Sequence, residues 1–131
     1  MEQPRLDFIG QVHGDILKRQ DAPKNYSESE HRGVLEIYPK YAEGMEDITA
    51  GETIVVLFWF HKSDRDVLKV YPRGDRSNGL RGVFSTRSPA RPNPIAISEL
   101  KVYEVEGNCL KVTGLDVLDG TPIVDIKKKI N

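Results

Sequence analysis

Short runs of apolar residues, or of apolar and polar residues in alternation, recur along the chain, each closed off by Gly, Pro, Asn or Asp. Alternation with period two is the pattern of a strand that turns one face to a core and the other to water. The runs predict strands over Phe8–Ile16, Gly33–Tyr38, Thr53–Phe60, Val67–Tyr71, Gly82–Thr86, Ile95–Val105, Cys109–Leu115 and Thr121–Ile126. Glu106-Gly107-Asn108, between two β-rich runs, predicts a hairpin connection. Tyr41–Met45 predicts one helical turn, because Pro39 can open it and Gly44 weakens anything longer.

Ile54–Phe60 departs from alternation: all its residues are apolar. Such a run predicts a central strand covered on both sides, with a second subunit supplying part of the cover. Many strands without a long helix predict a mainly β fold, a small closed β-barrel with few short helical turns, since closure removes exposed edges. Arg19–Arg32 has no periodicity and holds Pro23, Asn25 and three acidic residues, which predicts a binding loop.

Composition narrows the class without changing this picture. A chain of 131 residues suits a single domain spanning 1–131. Hydrophobic residues at 38% and charged residues at 30% fit a globular rather than a disordered protein. No run approaches the roughly 20 apolar residues that a membrane-spanning helix needs. Met1–Asp15 lacks the basic start and apolar stretch of a signal peptide. The lone Cys109 cannot form an internal disulfide and suits a buried small hydrophobe in a reducing compartment, so a cytoplasmic location is expected. His13, His31 and His61 show no ligand spacing, so no metal is expected. No Gly-rich turn joins a strand to a helix, which disfavours a dinucleotide enzyme.

The net charge of −1 argues against a protein that coats nucleic acid by bulk charge. The charge is nevertheless uneven. Arg73, Arg76, Arg81, Arg87 and Arg91 fall in one stretch whose only acidic residue is Asp75. Such a cluster suits a local anion, a phosphate backbone or a carboxylate.

The densest chemistry lies in Arg81–Ser98, Arg-Gly-Val-Phe-Ser-Thr-Arg-Ser-Pro-Ala-Arg-Pro-Asn-Pro-Ile-Ala-Ile-Ser. Pro89, Pro92 and Pro94 each fix φ and push the preceding residue toward an extended conformation. The predicted result is a stiff loop presenting Thr86, Arg87, Ser88, Arg91 and Asn93, ordered before any ligand arrives. Arg87 could grip a carboxylate through two parallel hydrogen bonds, and Thr86 and Ser88 would add hydroxyls. Taken alone, these residues imply an anionic small molecule or a phosphate, and nothing sharper.

This segment closely resembles the signature of the TsaA-like family, the TrmO-type S-adenosylmethionine-dependent transfer-RNA N6-adenosine methyltransferases. Three further segments are similar to the family in the same order: Tyr41-Ala42-Glu43-Gly44-Met45, Phe58-Trp59-Phe60-His61, and Asp116-Val117-Leu118-Asp119-Gly120-Thr121-Pro122-Ile123-Val124-Asp125-Ile126-Lys127. The resemblance implies a dimeric β-barrel that binds S-adenosyl-L-methionine near its subunit interface and methylates N6 of threonylcarbamoyl-adenosine next to the tRNA anticodon. It also implies cofactor-binding roles for His61, Lys62, Arg87, Ser88, Ile95, Ser98, Asp116, Asp119, Gly120 and Thr121, with Arg87 the main anchor. The catalytic base is open among His61, Asp116 and Asp119. Arg73, Arg76, Arg81 and Arg91 are the expected RNA contacts, on the strength of their clustering.

The chain departs from the family in places. Asp21-Ala22-Pro23-Lys24-Asn25 stands where Asp-Ala-Pro-Arg-Gln is common, and lysine cannot replace a bidentate arginine. Ala50-Gly51-Glu52 replaces a Phe-Ser-His-type sequence, and Lys128-Lys129 follow Lys127 in place of a proline and an aromatic. Two alternatives therefore stand beside the tRNA methyltransferase: a non-catalytic S-adenosylmethionine-binding module, and a methyltransferase with a different substrate.

Overall fold

A computed structural model describes residues 1–14 and 31–131. In chain order the strands are β1 Gly10–Gly14, β2 Arg32–Ile37, β3 Thr53–Trp59, β4 Lys69–Val70, β5 Arg81–Gly82, β6 Ile95–Glu106, β7 Cys109–Thr113 and β8 Pro122–Lys128. Six of them close a barrel in the order β1-β2-β7-β6-β3-β8, while β4 and β5 make a separate two-stranded sheet. The mainly β, closed-barrel expectation is met. Residues Asp15 and Ile16 of the expected first strand and Arg19 to Glu30 of the expected binding loop, with the Asp21–Asn25 departure, lie outside the described residues.

Two compact units divide the chain: Met1–Phe58 with Ile97–Asn131, and Trp59–Ala96. The first holds the barrel core. Along β3 the pattern strictly alternates, with Ile54, Val56 and Phe58 buried and Val55 and Leu57 half-buried. Within the chain, the barrel interior covers one side of β3 fully, and the outward residues are half-buried. Leu35 and Ile37 on β2, Leu100 and Val102 on β6 and Leu110 and Val112 on β7 complete the inner layer. Each such side chain is worth about 1.5–3 kcal/mol of apolar burial.

Close approach at one end of the barrel requires glycine. A Cβ on Gly33 would lie 2.5 Å from Leu115 Cδ2, and one on its cross-strand partner Gly14 would lie 2.9 Å from the same atom. The pair leaves a slot in which the fully buried Leu115 sits. That seating fixes the segment Leu115–Thr121, which runs back along β1. Gly120 N donates to Val12 O at 2.7 Å, and Val12 N donates to Thr121 O at 3.0 Å. The β6–β7 hairpin forms as expected, with Gly107 at φ 58 and Glu106 paired to Cys109.

The second unit is built otherwise. Its expected strands Val67–Tyr71 and Gly82–Thr86 shrink to the two-residue β4 and β5, and Val83–Ser85 turns into a 3-10 helix. Val83 and Pro94 are the buried residues of this unit. With so small a core, hydrogen bonds of side chains to main chain carry its order. In the barrel unit, the helical turn expected at Tyr41–Met45 is present as the 3-10 helix Pro39–Met45, opened by its proline.

Candidate functional site

The sequence-predicted residues fall on both compact units. On Trp59–Ala96 lie His61, Lys62, Arg87, Ser88 and Ile95; on the barrel unit lie Ser98, Asp116, Asp119, Gly120 and Thr121.

On the barrel unit, Asp116 is the chemically distinctive group. It sits between two buried anchors, Leu115 and Val117, which hold its backbone in place. Ser98, 1% exposed on β6, donates its hydroxyl to Asp116 Oδ1 at 2.8 Å. Burial pushes the Asp116 carboxyl up from 3.8 to about 6, against the opposing pull of the Ser98 hydrogen bond. A carboxyl so placed exchanges a proton close to neutrality. The other predicted residues of this segment have structural partners. Asp119 Oδ1 accepts from Gly14 N at 3.0 Å, and Thr121, 2% exposed, donates its hydroxyl to Leu118 O at 2.7 Å. Gly120 takes φ 81, a left-handed backbone that favours glycine, and its N–H is given to β1. Of the three candidate bases, His61 is exposed and Asp119 is engaged as a turn-to-strand tie.

On Trp59–Ala96, His61 and Lys62 follow the end of β3 in an exposed turn, where Ser63 N donates to Phe60 O at 3.0 Å. The loop after β5 is held from within. Thr86 Oγ1 donates to Val83 O at 2.9 Å and accepts from Ser88 N at 3.1 Å. Arg87 between them is exposed, and among the described residues its guanidinium meets no partner. Ile95, at the start of β6, is also exposed.

The arginine cluster separates into different uses. Arg76 lies over the Tyr71 ring at 4.9 Å, and Arg81 Nε donates to Asn78 O at 3.2 Å. Both remain exposed, as does Arg73. Arg91 points the other way: Nη1 donates to Thr86 O and Ser88 O, and Nη2 to Val83 O, at 3.0–3.2 Å. The RNA contact expected of Arg91 therefore competes with three main-chain carbonyls of its own loop. Arg65, which the sequence did not single out, donates to Pro92 O at 2.7 Å and to Asn93 Oδ1 at 3.2 Å, with its guanidinium 5.1 Å from the Trp59 ring centre. No motif marks it; a cation shortly after an aromatic strand end was the available signal. Among the described residues no group of three or more His, Cys, Asp and Glu could hold a metal ion, and no helix is long and apolar enough to cross a membrane.

Residues 11–131 match the model of the tRNA-methyltransferase O N-terminal domain. The chain belongs to this family. An S-adenosyl-L-methionine-binding protein of Archaeoglobus fulgidus is 44% identical over 123 residues, 94% of this chain and 87% of that one. A probable S-adenosyl-L-methionine-binding protein of Pyrococcus horikoshii is 46% identical over 109 residues, 80% of this chain and 78% of that one. A crystal structure of TrmO from Pseudomonas aeruginosa matches with a TM-score of 0.76 and 27% identity, over 98% of this chain. This chain spans 57% of the TrmO chain in that crystal structure. The TrmO N-terminal domain family thus accounts for the barrel and for the segments quoted from the sequence.

Proposed function

We propose that this protein binds S-adenosyl-L-methionine and transfers its methyl group to N6 of threonylcarbamoyl-adenosine beside the anticodon of tRNA, acting as a cytoplasmic homodimer. The observation that carries the reading is Arg87: an exposed guanidinium that meets no partner among the described residues, on a pre-ordered loop within the family-matched span. The relatives named for S-adenosyl-L-methionine binding support the choice of ligand.

Each unit carries residues whose chemistry suits a part of that ligand. Arg87 offers two parallel N–H donors to an amino-acid carboxylate. Asp116, ionised above about pH 6, offers a fixed negative charge to an ammonium or sulfonium cation. Bound S-adenosylmethionine supplies the methyl group and the leaving sulfur. The substrate nitrogen must lose a proton, and Asp116, its Oδ1 held by Ser98, is the carboxylate whose proton affinity suits that task. Arg73, Arg76 and Arg81 are the proposed phosphate contacts, and His61 and Lys62 the proposed polar contacts at the end of β3.

The test is transfer of labelled methyl from S-adenosylmethionine to tRNA with and without threonylcarbamoyl-adenosine, with sedimentation to read the dimer. Label on modified tRNA alone is the expected result. A second reading, a binding module without transfer, is favoured by the relatives' names, which stop at binding. It predicts cofactor affinity with no label on either RNA.

A further inference from the structure

The proline-rich loop has an accounting problem. Pro89, Pro92 and Pro94 carry no N–H, so this stretch cannot pair its main chain in a ladder. Carbonyls along the loop need other donors, and two arginines provide them. Arg91 Nη1 donates to Thr86 O at 3.2 Å and to Ser88 O at 3.1 Å, the carbonyls immediately before and after Arg87. Arg91 Nη2 reaches Val83 O at 3.0 Å, and its own backbone N donates to Asp64 O at 3.1 Å. Next along the chain, Arg65 Nε takes Pro92 O at 2.7 Å and its Nη2 takes Asn93 Oδ1 at 3.2 Å.

We infer that Arg91 and Arg65 are positioning residues that set the direction of the Arg87 guanidinium before a ligand arrives. The inference rests on the reading of Arg87 as the cofactor's carboxylate anchor, and goes beyond it by assigning the two neighbouring arginines a role that touches no ligand. Only a planar fork with several donors spans carbonyls on both sides of one residue; the point charge of lysine satisfies fewer of them. Arg91 also meets no carboxylate among the described residues, so its positive charge is not neutralised and favours an anion at this loop. Asn93, prominent in the sequence as a presented polar residue, is used as the acceptor that ties the loop to Arg65.

The test compares wild type, Arg91→Lys, Arg91→Ala and Arg65→Lys by three readouts. These are calorimetric affinity for S-adenosylmethionine, amide exchange of Thr86 and Ser88 in the ligand-free protein, and the thermal midpoint. Thr86 N donates to Val83 O and Ser88 N to Thr86 Oγ1, so both amides report opening of the loop. Arg91→Lys keeps the charge and is expected to speed exchange at both amides. It should also weaken cofactor affinity on the order of tenfold, with the thermal midpoint unchanged. Methylguanidinium added to Arg91→Ala should recover part of the affinity. Faster exchange with unchanged affinity would overturn the positioning role while leaving the cofactor reading in place. Unchanged exchange would overturn the staple itself. A wild type that binds no cofactor would overturn the cofactor reading, and the positioning role with it.

Discussion

In the barrel, main-chain polar groups pair strand to strand, and the side chains are left to fill the interior. In Trp59–Ala96 the two jobs are exchanged. Pairing is reduced to β4 and β5, and polar side chains satisfy the main chain: Arg65, Asp75, Thr86, Ser85 and Arg91 all bond backbone groups. The two units therefore tolerate replacement at different kinds of position. A barrel position asks for apolar volume, which several residues supply. A loop position asks for one donor geometry, which usually one residue supplies.

Phe58, fully buried on β3, should show the largest stability effect. Phe58→Ala is expected to lower the unfolding free energy by about 3–5 kcal/mol, read by chemical denaturation. A loss below 1 kcal/mol would mean that the barrel interior does not carry the unit's stability.

Asp116 comes next and works with the opposite sign. Its folded-state carboxyl is raised from 3.8 to about 6, so the native state holds the proton more tightly than the unfolded chain. That contribution is fully present below about pH 4 and is lost as pH rises through about 6. Asp116→Asn should therefore flatten the stability profile between these values. At pH 8 it should make the protein more stable, by up to about 3 kcal/mol for a shift of roughly two units. Equal pH dependence in the variant and the wild type would remove Asp116 as the buried titrating group.

Arg65→Ala should show the smallest global effect. Its contacts are exposed hydrogen bonds, worth about 1 kcal/mol or less in net stability. Its signature is local: faster amide exchange within Trp59–Ala96 and an unchanged denaturation midpoint. A midpoint shift as large as that of Phe58→Ala would erase the distinction between the units.

The sequence made the barrel legible and the loop only half so. Ile54, Val56 and Phe58, like Leu110 and Val112, announce their strands because alternation is a local property of the chain. The ends of β6 and β7 that face the turn follow, since the turn at Gly107 is also local. β4 and β5 are shorter than the apolar runs that contain them, because apolar content alone does not say that a partner strand exists. Among the proposed ligand contacts, Arg87 and Asp116 stand in segments that the sequence marks, one on each unit of the chain. The inward turn of Arg91 and the part played by Arg65 are not marked in it. Both depend on carbonyls that three prolines leave without ladder partners, and that is a property of the folded loop. The side-chain oxygens of Asp119 and Thr121 bond Gly14 N and Leu118 O, contacts that no motif announces.

Arg87 is proposed as the anchor of S-adenosylmethionine on this chain. Calorimetric titration of the wild type beside Arg87→Ala tests it most directly. Micromolar binding by the wild type and a loss on the order of a hundredfold in the variant, the scale of a bidentate charged contact, are the expected results. Equal affinity in the two proteins, or a well-folded wild type that binds nothing, would contradict it.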